Sequence, residues 1–190
     1  MIKKNNWLKI ISILLIFIGS SLSLSTQAAI ELPKSMNYEG AELSLNGQGT
    51  RAIFLIKIYE SGLYLSSANS NGGEVINQDS AMGIRLEVIS SMLTADSMKK
   101  AINDGFVKST NDNTQPIVDQ ISQFMATLYD AVAVNDVFEF IYLPESGVHV
   151  LKNSEHLDAV AGLDFKKAFF GIWLSGNPVQ KSLKKAMLGS

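Results

Sequence analysis

The chain of 190 residues has no cysteine, only two histidines and four prolines. Without cysteine there is no disulfide staple, no thiol nucleophile and no thiolate metal site. A lipid-anchored lipoprotein is excluded too, because no cysteine follows the apolar run near the amino terminus. The two histidines, His149 and His156, stand seven residues apart across an expected hairpin with no ligand-spaced partner, so they read as surface or loop residues and no metal is expected. No glycine-rich phosphate cradle follows a strand: Gly47-Gln48-Gly49 does not open a helix. Serines are plentiful, but none occupies a nucleophile elbow, and the carboxylates Asp158 and Asp164 fall in expected turns and caps. Nothing asks for a cofactor.

The first residues have the layout of an export signal. Lys3, Lys4 and Lys9 make a positive start with no acidic residue to offset it, and Ile10 to Ile18 is apolar apart from Ser12. A small, polar stretch then leads to Thr26-Gln27-Ala28-Ala29, a cleavage point built of small residues. The apolar run is shorter than the roughly 20 residues that a spanning helix needs. The expectation is therefore a signal peptide at 1–29, one domain at 30–190, a periplasmic or secreted location, and no stable membrane span after cleavage. Cleavage would remove three of the 16 basic residues and none of the 18 acidic ones. The remaining acidic balance argues against a nucleic-acid groove or an anionic membrane surface as the main partner. Roughly 160 residues are enough to bury a real core.

Along that domain, Met36 to Leu45 alternates and meets Asn46-Gly47, a tight-turn pair. Arg51 to Tyr59 reads as one apolar, β-branched strand, continued by Gly62 to Leu65 after a bend. Ser66 to Asp79, rich in Ser, Asn and Gly, reads as a mobile loop, and Gly83 to Ser90 as another strand. Thr94 is a helix N-cap with Asp96 in the first turn, followed by Met98, Ala101, Ile102, Gly105 and Phe106 at helical spacing. After a polar break, Pro116 opens a second helix with Ile117, Ile121, Phe124, Met125, Leu128 and Val132 on one face. Val137 to Leu143 and Val148 to Leu151 form a hairpin about Pro144-Gly147, and a short strand lies near Ala159-Val160. Asp164 caps an amphipathic helix through Trp173, and a short terminal helix follows Asn177-Pro178. The block from Phe169 to Leu174 reads as core. The class is α+β, an antiparallel sheet with helices packed on one face.

One residue stands out from this pattern. Arg51 follows Gly47-Gln48-Gly49-Thr50 and opens a mostly apolar strand. A guanidinium there can fork onto a carboxylate or phenolate, or it can be an edge arginine in a salt bridge.

The run Leu45-Asn46-Gly47-Gln48-Gly49-Thr50-Arg51, then Lys57-Ile58-Tyr59-Glu60-Ser61-Gly62-Leu63-Tyr64-Leu65, resembles the opening of the chalcone isomerase-like family, in its exported bacterial branch. So does the closing run from Asp164 to Leu174, followed by Pro178. The resemblance spans nearly all of 36–189 and implies an open-faced sandwich, a curved antiparallel sheet covered by helices with a ligand cleft between them. It implies either cofactor-free closure of a flavanone ring, as in plant chalcone isomerases, or binding of fatty acids with an arginine on the carboxylate. The family's arginine corresponds to Arg51, and its water-ordering threonine to Tyr59. Its helix tyrosine and asparagine fall at Ser97 and Asp104, and its late-helix hydroxyl at Ile172. Most of the polar set has thus gone, and each donor of that kind is worth roughly 2.7–4 kcal/mol to a charged transition state. Binding fits better than turnover. The expectation is a non-catalytic domain for a small lipophilic carboxylate, with Arg51 and Tyr59 as its binding residues. An intramolecular lyase with Tyr59 in a changed polar network, or an envelope protein that binds a partner, stands as the alternative.

Overall fold

The computed structural model describes residues 30–128 and 131–190, so the leader expected at 1–29 lies outside the described residues. Seven strands form one antiparallel sheet in chain order: β1 (Ser35–Tyr38), β2 (Ala41–Ile53), β3 (Ile56–Leu65), β4 (Met82–Val88), β5 (Val137–Leu143), β6 (Gly147–Lys152) and β7 (Glu155–Val160). The helices are α1 (Gly72–Asn77), α2 (Ala95–Ser109), α3 (Val118–Thr127), α4 (Leu163–Leu174) and α5 (Lys181–Met187). The sheet curls around the helices as an open-faced α+β sandwich. No helix among the described residues is long and apolar enough to cross a membrane.

Period-two alternation builds the inner face of the sheet. Ile84, Leu86 and Val88 of β4 point to the helices beside Phe138, Phe140 and Tyr142 of β5, in the register Ile84 to Phe140 and Leu86 to Phe138. Helix α4 fills the hollow of the sheet. It is buried all round rather than amphipathic as expected, because α1 and α2 also pack against it. Phe106 of α2, Phe124 of α3, and Phe165 and Phe169 of α4 form one aromatic cluster with Phe140 of β5. The Phe169–Leu174 block is buried, as its composition indicated. A smaller apolar cluster of Met36, Leu43, Tyr64, Ile141 and Leu151 lies on the outer face, where the Tyr64 hydroxyl donates to the Pro33 carbonyl at 2.8 Å.

Several local expectations are corrected. The first reversal falls at Glu39-Gly40, both at positive φ, and β2 runs straight through Asn46-Gly47. Asn46 sits in a bulge and uses its side chain to bond Asn69 and the Met187 carbonyl. The glycines of this stretch serve close approach rather than a turn. A Cβ on Gly47 would lie 2.3 Å from the Ala186 carbonyl oxygen, and one on Gly49 would lie 2.7 Å from the Ala186 Cβ, so α5 can lie directly on β2. The run from Arg51 to Tyr59 is two strands, reversing at Phe54-Leu55, where no usual turn residue marks it.

The expected loop at 66–79 contains α1, capped by Asn71, whose side chain accepts from the amides of Gly73 and Glu74. It forms because Val75 and Ile76 bury beside α4. Asp164 lies within the first turn of α4, and the capping position is Gly162 at φ 114°. His149 is buried in β6, bonded to the hydroxyls of Tyr38 and Ser146 and to His156, rather than on the surface. Thr94 caps α2 as expected, in a reciprocal pair with Ser97.

Candidate functional site

Helices α2 and α4 meet over the sheet and leave a small cleft of about 40 Å³. Its floor is Tyr59 of β3, Leu86 of β4 and Phe140 of β5. Met98, Ala101 and Ile102 of α2 form one wall, and Ile172 and Trp173 of α4 the other. Leu93 and Val179 complete the lining. The walls come together because Gly105 has no side chain: a Cβ there would meet Ile172 at 2.8 Å.

Among the described residues only two polar groups reach this space, and they are paired. The Trp173 indole Nε1–H donates to the Tyr59 hydroxyl at 3.1 Å, and both side chains are buried. Burial pushes the Tyr59 phenol up to about 12, against the opposing influence of the indole hydrogen bond and of the Arg51 charge. The hydroxyl therefore stays neutral at physiological pH. Its proton is given to no described residue, so it is a donor available to an oxygen placed in the cleft.

Arg51 lies directly across the β2–β3 ladder from Tyr59. It is half-buried and does not line the cleft, but it lies close enough for its charge to bear on the Tyr59 phenol. Gln180, at the start of α5, holds it there. Arg51 Nη1 donates to the Gln180 Oε1 at 2.8 Å and to the Ala52 carbonyl at 2.6 Å. The same Oε1 accepts from the Ala52 amide at 3.1 Å, and Gln180 Nε2 donates to the Thr50 carbonyl at 3.2 Å. Nη1 is thus committed, whereas Nε and Nη2 have no acceptor among the described residues. Those two nitrogens form the side of a guanidinium that forks onto a carboxylate.

The structure thus brings Arg51 and Tyr59 together and places Ile172 in the wall. It does not bring Ser97 or Asp104 to the cleft. Ser97 is committed to the N-cap, and Asp104 pairs with Lys100 at 2.7 Å on the exposed side of α2. The residues of α2 that do face inward are apolar. Two functional neighbours were not singled out from sequence. Trp173 carried a signal, since a buried indole N–H needs an acceptor. Gln180 carried none, because only the docking of α5 on β2 brings it to Arg51.

The model of the chalcone isomerase-like family matches residues 25–189 of this chain. Among solved structures, the fold is similar to that of a fatty-acid binding protein of Arabidopsis thaliana, with a TM-score of 0.64 and 14% sequence identity over 83% of this chain and 90% of that one. No curated protein matches this chain.

Proposed function

This chain belongs to the chalcone isomerase-like family, and from that premise and the composition of the cleft we propose that it binds a lipophilic carboxylate without transforming it. The observation that carries the reading is the pairing of an apolar cleft, holding one available hydroxyl, with a guanidinium across the ladder from that hydroxyl. Apolar walls with a few placed polar groups suit an amphipathic anion. Turnover would need donors and a base around the reacting atoms, and α2 offers the cleft only Met98, Ala101 and Ile102. A positively charged start followed by an apolar run at 10–18 supports a location outside the cytoplasm, in the periplasm or the medium.

A space of 40 Å³ holds a water molecule or two rather than an acyl chain, so ligand entry must part α2 from α4 or turn the Met98 side chain. The same small size supports a second reading, in which the side chains fill the cleft for good and the protein is a partner-binding envelope component.

Two measurements together separate the readings. Native mass spectrometry of protein purified from its own cells should show a copurifying lipophilic anion. In fluorescent fatty-acid displacement titrations, Arg51→Ala should bind about 10- to 100-fold more weakly, the effect of losing a charged hydrogen-bond partner. No copurifying ligand, together with equal titrations for wild type and Arg51→Ala, would leave only the second reading.

A further inference from the structure

The β2–β3 reversal carries four consecutive apolar residues, Ile53-Phe54-Leu55-Ile56. Phe54 and Leu55 at its tip are 97% and 98% exposed, and Ile53 and Ile56 more than two-fifths exposed. Phe54 is also held at φ 54°, a conformation that bulky side chains rarely adopt. A solvent-facing turn would ordinarily use Gly, Asn or Asp here, at no strain and with no apolar exposure. The folded chain gains no packing from this choice. Met92, half exposed, stands on the adjoining loop, which is tied to β3 by the amides of Ile89 and Ser90 on the Ile58 carbonyl.

Positive charge surrounds the base of the tip. Lys57 pairs with Ala52 across the ladder, and Lys181 follows Gln180, which bonds the Ala52 amide. Arg51 completes the set, and none of the three forms an ion pair with a described residue. An apolar prong with cations behind it matches acyl chains with phosphates above them. A protein partner would instead need a socket. Two open hollows among the described residues are edged by polar groups, Lys99, Gln123 and Asp158 in one and Asn113, Asp164 and Lys167 in the other, and the apolar cleft of about 40 Å³ is too small for the tip of a second copy.

We propose that the tip at 53–56 inserts into a phospholipid bilayer and so sets the rim of the cleft at the headgroup level, where a lipophilic ligand is loaded or released. The spacing fits. Tyr59 lies four residue steps beyond Leu55, about 13 Å at roughly 3.3 Å per residue, and interfacial apolar segments bury about 5–10 Å deep. With the tip sunk to that depth, Arg51 and the Tyr59 end of the cleft stay at the polar boundary. The loading role rests on the binding function proposed above; insertion does not.

The test uses a reporter at the tip of the full chain, so that adsorption through any other segment is told apart. Phe54→Trp is mixed with phosphatidylcholine vesicles whose acyl chains are brominated, with and without phosphatidylglycerol, and the wild-type emission is subtracted. The introduced indole should shift to the blue and be quenched in both lipids. Adding Leu55→Ser should weaken the vesicle partition by about tenfold or more. An indole that stays unquenched while the protein sediments with vesicles overturns the proposal. Quenching seen only with phosphatidylglycerol and abolished by salt also overturns it, because that is adsorption by charge. Loading is read separately. Phe54→Ser with Leu55→Ser should keep its affinity for free fatty acid but take up vesicle-held fatty acid at least tenfold more slowly. If wild type binds no fatty acid, the function fails and insertion stands; if transfer is unchanged in the variant, the loading role fails alone.

Discussion

Lys166 offers the sharpest test of how this fold is held. Its side chain is 0% exposed in the middle of α4, an unusual place for an ammonium. All three donors are used: Nζ reaches the carbonyls of Val75 at 2.9 Å, Ile76 at 2.8 Å and Gln78 at 2.7 Å. These carbonyls end α1, so the cation caps a helix C-terminus and ties α1 to α4. Its position 5.3 Å from the Tyr142 ring adds a further favourable contact. Burial nevertheless pulls the ammonium down from 10.5 to about 8, with the Asp79 charge opposing.

The consequence for stability follows from which state holds the proton. Between about pH 8 and 10.5 the unfolded chain is protonated at this residue and the folded chain is not. Unfolding then takes up a proton, and stability rises with pH. Lys166 alone contributes about 2–3 kcal/mol to that rise between pH 7 and 10, or roughly 5–10 °C in Tm for a domain of this size. Above pH 10 the sign reverses. Burial raises Tyr59 and Tyr64 to about 12, and Tyr142 is raised too, so their unfolded forms ionise first and stability falls. Urea unfolding followed by circular dichroism from pH 7 to 11 should therefore show a maximum near pH 10. Lys166→Met should lose the rise between pH 7 and 10. At pH 7 it should also be less stable by about 3 kcal/mol, because three helix-end carbonyls lose their donor. A flat wild-type profile from pH 7 to 10, or the same rise in Lys166→Met, would refute the reasoning.

Other substitutions probe the site and the sheet. Tyr59→Phe removes the acceptor of the buried Trp173 indole and should cost about 1–3 kcal/mol, read as a drop in Tm; an unchanged Tm would mean the hydrogen bond is replaced. Gly47→Ala puts a Cβ against the backbone of α5 and should destabilise by about 1–3 kcal/mol, and by unseating Gln180 it should also weaken ligand binding. Arg85 bonds Glu87 and Glu139 at 2.8 and 2.7 Å, with all three side chains less than a fifth exposed. Arg85→Met leaves two facing carboxylates without a cation and should cost about 3 kcal/mol in urea unfolding at pH 7, whereas Arg85→Lys should recover part of it.

The parts of the fold that were legible in the sequence are those where local chemistry and tertiary packing agree. Thr94 both caps α2 and precedes a helical apolar face, and Pro144 to Gly147 separates two alternating strands. The misread parts are those where packing overrides local preference. Asn46-Gly47 has the preference for a turn, yet the β2–β3 ladder and the docking of α5 hold it extended. Phe54-Leu55 has the preference for a strand, yet it turns. Asn71 could cap α1 only once Val75 and Ile76 had a buried place to go.

The site divides along the same line. Arg51 and Tyr59 were visible as residue types, but the sequence put them eight residues apart on one strand, where no geometry could join them. The unmarked reversal at Phe54-Leu55 is what makes them neighbours across a ladder. It also turns their intervening apolar residues outward as a prong. A single strand would have hidden those residues in the sheet and left the arginine far from the cleft. The Arg51–Tyr59 pair and the exposed tip are therefore two results of one backbone reversal. A change that straightened or lengthened that hairpin should disturb both, whereas replacing only the Phe54 and Leu55 side chains should disturb the tip alone.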